Sequence, residues 1–279
     1  MPNPRAGASA RPPARRPGRR PEPRTILRRR VFAIVMLAVA VLLVYTVWPK
    51  PSGHGAVSVS NHAAPAPGAS RASPVVHVTA AAAGWRLGSP LSRAVAFSDG
   101  GSILAAGGLD SAQNTVSAVQ RIDPGSGATT ASGSLTVPVH DAAGATIDAK
   151  HFVFGGGAQH VSDVVQVLEP NGPSTVVGHL PQPRADLAAA TIGSTAYLVG
   201  GYDGTNATRD VLATSDGAVF RTVAQLPFGV RYPAVAALGN QVYVFGGELG
   251  GAESDAVQQI DVRTGTARVV AQLPSPRTE

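Results

Sequence analysis

The chain has 279 residues, of which 44% are hydrophobic and 14% are charged, and it contains no cysteine. The lack of cysteine excludes disulfide bridges, thiolate nucleophiles, iron–sulfur clusters and cysteine-bound zinc. The formal net charge of +6 comes from the first residues: residues 1–30 hold ten arginines against a single acid, whereas 11 basic and 16 acidic residues occur from residue 76 onward. The larger part of the chain is therefore mildly acidic, and we expect no nucleic-acid binding from it.

The first 48 residues are typical of a membrane anchor. Residues 1–30 hold almost no large apolar side chain, which predicts a disordered tail whose arginines set topology and contact anionic headgroups. Residues 31–48 are uncharged and would span about 27 Å as a helix, which predicts a transmembrane helix. The basic flank belongs in the cytoplasm, so the later residues are expected outside it, at the cell membrane. The alternative is a cleaved signal peptide, whose apolar stretch is usually shorter, about 7–15 residues.

A spacer and a repeat follow the anchor. Residues 49–75 are rich in Pro, Ser and Ala, which predicts an extended spacer. Beyond it, an apolar run ending in a glycine pair recurs four times, as "SILAAGG", "HFVFGGG", "AYLVGG" and "QVYVFGG", with spacings of 48, 45 and 46 between the first glycines. The first glycines are Gly107, Gly155, Gly200 and Gly246. Short apolar runs separated by turn residues predict four antiparallel strands in each repeat.

The repeat resembles the kelch family. The resemblance is carried by the glycine pairs, the continuation "GGYDGTN" at 200–206, the third-strand endings "IDP" and "LEP", and the Leu-Pro-x-Pro-Arg phrase at 180–184. It covers residues 85–279 and implies an all-β fold, a kelch-like β-propeller with four recognisable blades, and a protein or peptide partner. Kelch repeats usually carry Tyr in the third strand and Trp in the fourth, whereas the third strands here hold Ile122, Leu168 and Ile260.

The predicted domain region, 76–279, divides into repeats at about 88–135, 136–179, 180–225 and 226–272. A fifth repeat is expected to start at residue 273, because "LPSPRTE" matches the phrase that opens the earlier repeats. We therefore expect the chain to be a truncated piece of a propeller, with a natural terminus as the alternative.

A ring of polar side chains is predicted at one end of the propeller, because equivalent loops of successive blades meet there. Residues 14 to 16 positions before each first glycine, together with the last phrase, supply the candidates, which are Arg93, His140, Arg184, Arg231 and Arg277. Guanidinium groups pair well with carboxylate or phosphate, so the ring could bind such a ligand. The alternative is that each arginine satisfies a turn or a neighbouring acid such as Asp186. Tyr202 and Asp203 are weaker candidates, since "YDGTN" lacks the carboxylate spacing of a calcium loop and is most simply a turn.

The sequence points to binding rather than to catalysis. The seven histidines share no metal-ligand spacing, and there is no nucleophile elbow, P-loop or dinucleotide fingerprint. We predict no metal, no cofactor and no catalytic residues. The leading hypothesis is a membrane-anchored extracytoplasmic module that binds or scaffolds a protein, peptide or glycan. The alternatives are a carbohydrate-active surface enzyme of kelch-like fold and a ligand sensor that signals through a partner.

Overall fold

A computed structural model describes residues 80–278. The predicted tail, transmembrane helix and spacer, at 1–30, 31–48 and 49–75, lie outside the described residues. Within 80–278, no helix is both long enough and apolar enough to cross a membrane.

The described residues form four antiparallel sheets of four main strands each, which we call blades 1 to 4. In blade 1 the strands are β1 (Val95–Asp99), β2 (Ser102–Ala106), β3 (Ala118–Ile122) and β4 (Thr129–Ser134), and in blade 2 they are β5 (Ala143–Ile147), β6 (Lys150–Phe154), β7 (Val164–Val167) and β9 (Thr175–His179). Blade 3 contains β10 (Ala185–Ile192), β11 (Thr195–Tyr202), β12 (Asp210–Thr214) and β13 (Arg221–Gln225), and blade 4 contains β14 (Ala234–Leu238), β15 (Gln241–Phe245), β18 (Ala256–Asp261) and β19 (Thr266–Gln272). The predicted all-β fold is confirmed for this part of the chain.

Three short strands lie outside the main strands of the blades. β8 (Gly172–Pro173) leaves blade 2 and pairs in parallel with β4 at the edge of blade 1. β16 (Glu248–Leu249) and β17 (Ala252–Glu253) form a small hairpin that follows β15. The excursion of β8 covers part of the exposed edge of β4, which removes unpaired backbone groups from solvent.

The four blades share one internal pattern. Tight turns join the first two strands of each blade and use residues with positive φ, such as Gly193 (58°) and Gly239 (58°), as hairpin turns require. The third strand carries a register shift at the same place in each blade, for example between Val119 and Gln120 and between Val257 and Gln258. A β-bulge repeated in this way increases the local twist of each sheet in the same manner.

The blades pack face to face, and each has two distinct faces. The trailing face packs on the next blade along the chain; in blade 2 it presents Phe152 and Phe154, which are 4% and 0% exposed. The leading face packs on the preceding blade; in blade 3 it presents Leu198 and Leu212, which meet those phenylalanines in one core cluster. Three such clusters fill the spaces between blades, so the core lies between sheets rather than within one. The first strands stand side by side, since β10 contacts both β5 and β14, and β5 contacts β1.

The glycine pairs occur at the end of the second strand, where the segment that leads into the next blade crosses it. In blade 1 the N–H of Gly108 donates to the carbonyl of Val139 at 2.8 Å, and a Cβ on Gly107 would collide with that same carbonyl oxygen. Both glycines have positive φ, 65° and 96°. Close approach and positive φ together explain why only glycine fits here. The same bond recurs in the other blades, from Gly156 to Arg184, from Gly201 to Val230 and from Gly247 to Arg277.

The leucine of each Leu-Pro phrase, and Leu135 at the equivalent place after blade 1, is hydrogen-bonded to the blade before it. The N–H of Leu180 donates to Asp163 at 2.7 Å, and Leu135, Leu226 and Leu273 make the equivalent bonds to Ser117, Arg209 and Asp255. Leu135, Leu180 and Leu226 are also buried in the clusters between blades. The segment that contains this leucine is therefore hydrogen-bonded to the blade before it, and the chain enters the next blade after it.

Candidate functional site

Four residues that are not glycine adopt a left-handed backbone conformation at the same place in the four blades. They are Arg93 (φ 55°), Asp141 (53°), Asp186 (57°) and Tyr232 (50°). Each lies 14 residues before the first glycine of its pair, at the entry to the first strand of its blade: Asp186 is the second residue of β10, and the other three precede their strands by two residues. The left-handed region costs an L-residue with a side chain roughly 1–2 kcal/mol, and strained residues of this kind gather at functional sites.

A ladder of backbone hydrogen bonds joins these four residues across the blades. The N–H of Asp141 donates to the carbonyl of Arg93 (3.1 Å), that of Asp186 to the carbonyl of Asp141 (2.9 Å), and that of Tyr232 to the carbonyl of Asp186 (2.9 Å). Each blade is thus tied to the preceding one at its entry. These hydrogen bonds hold the four residues in the strained conformation and bring their side chains to one end of the fold.

An open cavity of about 630 Å³ lies at this end. All four residues of the ladder line it, together with polar side chains of the adjoining loops. Of the residues predicted from the sequence, Arg93, His140, Tyr202, Asp203 and Arg231 line the cavity. Arg184 and Arg277 are not among the lining residues. Their positions are described below.

Arg231 is held firmly on one side of the cavity. Its Nε and Nη2 both lie 2.7 Å from Oδ2 of Asp186, and its Nη1 lies 3.7 Å from Oε1 of Glu248. The guanidinium carbon stands 4.4 Å from the ring centroid of Tyr202 and 5.1 Å from that of Tyr232, within cation–π range. The partner Asp186 is the acid that the sequence named as the alternative role for these arginines.

Arg93 is held less tightly on the other side. Its Nη1 donates to Oδ2 of Asp141 at 2.8 Å, while its side chain remains 49% exposed. Burial raises the pKa of the Asp141 carboxyl, and the positive charge of Arg93 partly offsets that effect. His140 stands beside this pair, with its Nε2 at 3.8 Å from Asp141 and its Nδ1 at 2.9 Å from the hydroxyl of Thr115.

Tyr202 and Asp203 form the rim of the cavity. The Asp203 carboxylate accepts hydrogen bonds from the backbone N–H groups of Thr205 and Asn206, both at 2.7 Å, and these bonds lower the pKa of that carboxyl. The Tyr202 hydroxyl donates to the carbonyl of Gly204 at 2.8 Å. The segment is a side-chain-stabilised turn, and it holds the Tyr202 ring against Arg231.

Arg184 is a core residue. It is 1% exposed, and its Nη1 donates to the carbonyls of Asp210 (2.9 Å) and Gly200 (3.4 Å), while its Nε has no hydrogen-bond partner. Burial lowers the pKa of its guanidinium group. Its carbonyl accepts from a glycine pair as those of Val139 and Val230 do, and both valines are buried between blades. Arg184 therefore occupies a position that packs one blade on the next.

Arg277 has the same backbone role as Arg184. Its carbonyl accepts the N–H of Gly247 at 2.9 Å, while its exposed side chain donates from Nη2 to the hydroxyl of Ser275 at 3.0 Å. The register therefore assigns Arg184 and Arg277 to one position and the cavity-lining Arg93 to another.

Sequence reasoning missed three of the four ladder residues that line the cavity: Asp141, Asp186 and Tyr232. The signal that identifies them is a constant distance from the glycine pair. The range of 14 to 16 residues before the first glycine includes three different structural positions, and the predicted basic residues are spread over all three. The residue 14 positions before the first glycine belongs to the ladder in every blade. Among residues 80–278, no group of three His, Asp or Glu side chains is arranged to hold a metal ion.

Comparison with known proteins agrees with this architecture. The Kelch motif family matches residues 230–274, which span blade 4. Many solved structures share the fold; one, titled "Structure of YjhT", superposes with a TM-score of 0.58 at 20% sequence identity, covering 69% of this chain and 68% of that one. No curated protein matches the chain in sequence. The motif match in blade 4 and the shared fold together support the predicted kelch-repeat β-propeller.

Proposed function

We propose that this chain is a binding module that takes a protein or peptide partner at the cavity lined by the backbone ladder. The observation that carries the proposal is the ladder itself. Four strained residues, Arg93, Asp141, Asp186 and Tyr232, occupy one position in four successive blades and line a single cavity. A turn that served only the fold would be less costly with glycine, so the retained side chains indicate a role for the side chains themselves.

The chemistry of the cavity favours a protein surface as the ligand. Its two arginines are already paired with Asp141 and Asp186, so the cavity is not a simple receptor for a free anion. Arginine and tyrosine are the residue types enriched at the energetic centres of protein interfaces. Arg231 is fixed between two tyrosines before any partner arrives, so little side-chain entropy remains to be lost on binding.

The test is a binding screen with the full chain. Peptide and glycan arrays are probed with the unchanged chain, with the Arg93→Ala and Arg231→Ala variants, and with Arg263→Ala, an exposed arginine in a turn of blade 4 that serves as a control. We expect peptide binding that weakens at least about tenfold in the two cavity variants and persists in the control, as for interface hot spots. Binding that survives both cavity variants would contradict the proposal. Binding only to glycans, or turnover of a sugar panel, would replace it with a carbohydrate-directed function.

We also propose that the module lies outside the cytoplasm, held by an anchor at residues 31–48. The support is the charge step across that segment, with ten arginines before it and a mildly acidic region after it. Protease added to intact cells is expected to digest residues 76–279 and to leave residues 1–30 protected. Protection of residues 76–279 in intact cells, with digestion after lysis, would reverse the orientation.

A further inference from the structure

A second cavity, of about 340 Å³, lies between blades 1 and 2. Asp99, the last residue of β1, lines it, whereas the ladder residue Arg93 precedes β1, so the two cavities are at opposite ends of the first strands. No residue lines both of them. One wall is formed by β2, β3 and β4 of blade 1, and the other by β6, β7 and the segments beside them in blade 2. We call this space the interblade cavity.

The interblade cavity lies where blade 1 has a shorter side chain than the other blades. The residue three positions before the first glycine is Leu104 in blade 1, but Phe152, Tyr197 and Tyr243 in blades 2, 3 and 4. In blade 2 the aromatic ring reaches the next blade, since a Cβ at Gly217, in the turn after β12, would lie only 2.7 Å from Cε1 of Phe152. Leu104 leaves the corresponding space between blades 1 and 2 open.

The segment after β7 forms one wall of the interblade cavity and is fixed in place. It leaves blade 2 and reaches the edge of blade 1, where β8 pairs with β4. The N–H of Asn171 donates to the carbonyl of Ser132 at 3.2 Å, and that of Ser174 to the carbonyl of Ser134 at 2.7 Å. Ser174 is 4% exposed, and its hydroxyl donates to Oε1 of Gln166 at 2.8 Å. The cavity is therefore preformed, as small-molecule sites usually are.

The inner surface of the interblade cavity is apolar and includes an aromatic ring. Leu104, Val119 and Val167 line it and are 5%, 4% and 7% exposed. The ring of His151 lies 4.8 Å from that of Phe97, between centroids, and its side chain is 13% exposed. Aromatic rings pack well on such a surface. These walls therefore favour a ligand that contains a flat ring.

The two carboxylates of the interblade cavity already have partners. Oδ2 of Asp99 lies 2.6 Å from Nη2 of Arg121, and its Oδ1 lies 3.9 Å from Nε2 of His151. Glu169 is exposed, and its Oε1 accepts a hydrogen bond from the hydroxyl of Thr175 at 3.2 Å.

The polar groups that remain available to a ligand are hydrogen-bond donors. Within residues 80–278, Arg121 has no polar partner other than Asp99, so several of its N–H groups are unused. Lys150 is exposed and forms no ion pair with another described residue. Ser132 is 7% exposed and lines the cavity, yet no described residue hydrogen-bonds its hydroxyl. Because these groups donate and two of them are cationic, the matching ligand group is a carboxylate.

We propose that the interblade cavity binds a small aromatic carboxylate. The ring lies between Leu104 and His151, and the carboxylate accepts from Arg121, Lys150 and the hydroxyl of Ser132. The volume is within the usual range for small-molecule sites, about 300–1,000 Å³. The site is independent of the partner site at the ladder cavity, because the two have no residue in common.

The ligand class is tested by calorimetric titration of the full chain with 2-naphthoate and with 2-naphthamide, which has the same rings but no charge. We expect 2-naphthoate to bind, and 2-naphthamide to bind at least about tenfold more weakly, because the charge-assisted hydrogen bonds are lost. A dissociation constant for 2-naphthoate above about 1 mM would overturn the proposal. So would equal binding of the two compounds.

The place of binding is tested with variants of the cavity. Leu104→Phe introduces the ring that blade 2 has at this position, and we expect it to raise the dissociation constant for 2-naphthoate at least about tenfold by filling the cavity. Lys150→Gln removes one cation at an exposed residue that the fold tolerates, and we expect a rise of about threefold or more. The second variant decides the question if the first does not fold.

Matched controls make the same chemical changes outside the cavity. Leu238→Phe adds a ring at a leucine that is 72% exposed, and Arg263→Gln removes a cation from an exposed turn, so both should bind 2-naphthoate as the unchanged chain does. Binding that survives both Leu104→Phe and Lys150→Gln would overturn the proposal. Binding that is instead lost in Arg231→Ala would place the compound in the ladder cavity and would overturn it as well.

Discussion

At the scale of single residues, the fold and the cavity favour different residue types at the ladder positions. The left-handed backbone favours glycine, whereas the cavity is lined by side chains. Arg93 has φ 55° and a half-exposed side chain in an ion pair with Asp141. At ordinary positions, replacing Gly by Ala stabilises a protein by about 0.4–1 kcal/mol through the unfolded state. At a left-handed position the glycine variant should be the more stable one, because the Cβ of alanine strains this conformation and glycine has no Cβ.

We therefore predict that Arg93→Gly is more stable than Arg93→Ala by about 1 kcal/mol. Both variants lose the same ion pair, which is partly exposed and contributes little, so the difference between them isolates backbone strain. Urea unfolding of the two variants measures it. The same two substitutions at Arg263, whose φ is not positive, should follow the ordinary order. An alanine variant more stable than the glycine variant at residue 93 would mean that the conformation is not strained.

At the scale of elements, a buried glutamine on the third strand joins one blade to the next. Gln166 satisfies both backbone groups of Val137 and also accepts from the hydroxyl of Ser174 at 2.8 Å. Gln258 makes one longer bond, 3.4 Å, to Phe228. Blade 3 holds Leu212 at this place, so a leucine fits the sheet itself.

We predict that Gln166→Leu lowers the free energy of unfolding by about 2–4 kcal/mol, because it leaves two buried backbone groups without partners. Gln258→Leu should cost about 1 kcal/mol or less, because only one weak bond is lost. Urea unfolding curves of the two variants provide the comparison. Equal losses would show that the cost comes from altered packing rather than from unsatisfied backbone groups.

At the scale of the whole molecule, stability comes from apolar packing between blades. The contribution of a residue to the free energy of unfolding therefore depends on whether a neighbouring blade covers it. Phe154 is fully buried between blades 2 and 3, whereas Phe245, at the same position in blade 4, is only half-buried. Cavity formation makes a buried Phe→Ala substitution cost about 3–5 kcal/mol. A half-exposed ring loses much less.

We predict that Phe154→Ala costs about 3–5 kcal/mol at any protein concentration, and that Phe245→Ala costs less than about 2 kcal/mol in dilute solution. Thermal unfolding of the two variants in dilute solution tests both statements. A cost at Phe245 as large as that at Phe154 in dilute solution would indicate that the face is already covered.

The sequence by itself determined the repeat, the strands and the all-β class. These follow from local patterns: alternating apolar residues set strands, and glycine pairs mark a close crossing of the backbone that no other residue fits. The turn at Asp203 was also predictable, because an aspartate that caps its own turn is a short-range feature.

Only the tertiary structure decided which residues of each repeat reach the cavity. Positions 14 and 16 before the glycine pair are two residues apart in sequence, yet Arg93 lines the cavity and Arg184 packs between blades. The difference arises from hydrogen bonds between blades: one position joins the left-handed ladder, and the other crosses a glycine pair. Such bonds join residues some 45 positions apart, so composition and local spacing do not reveal them. The pairing of Arg231 with Asp186 was decided in the same way, by two blades meeting at their entries.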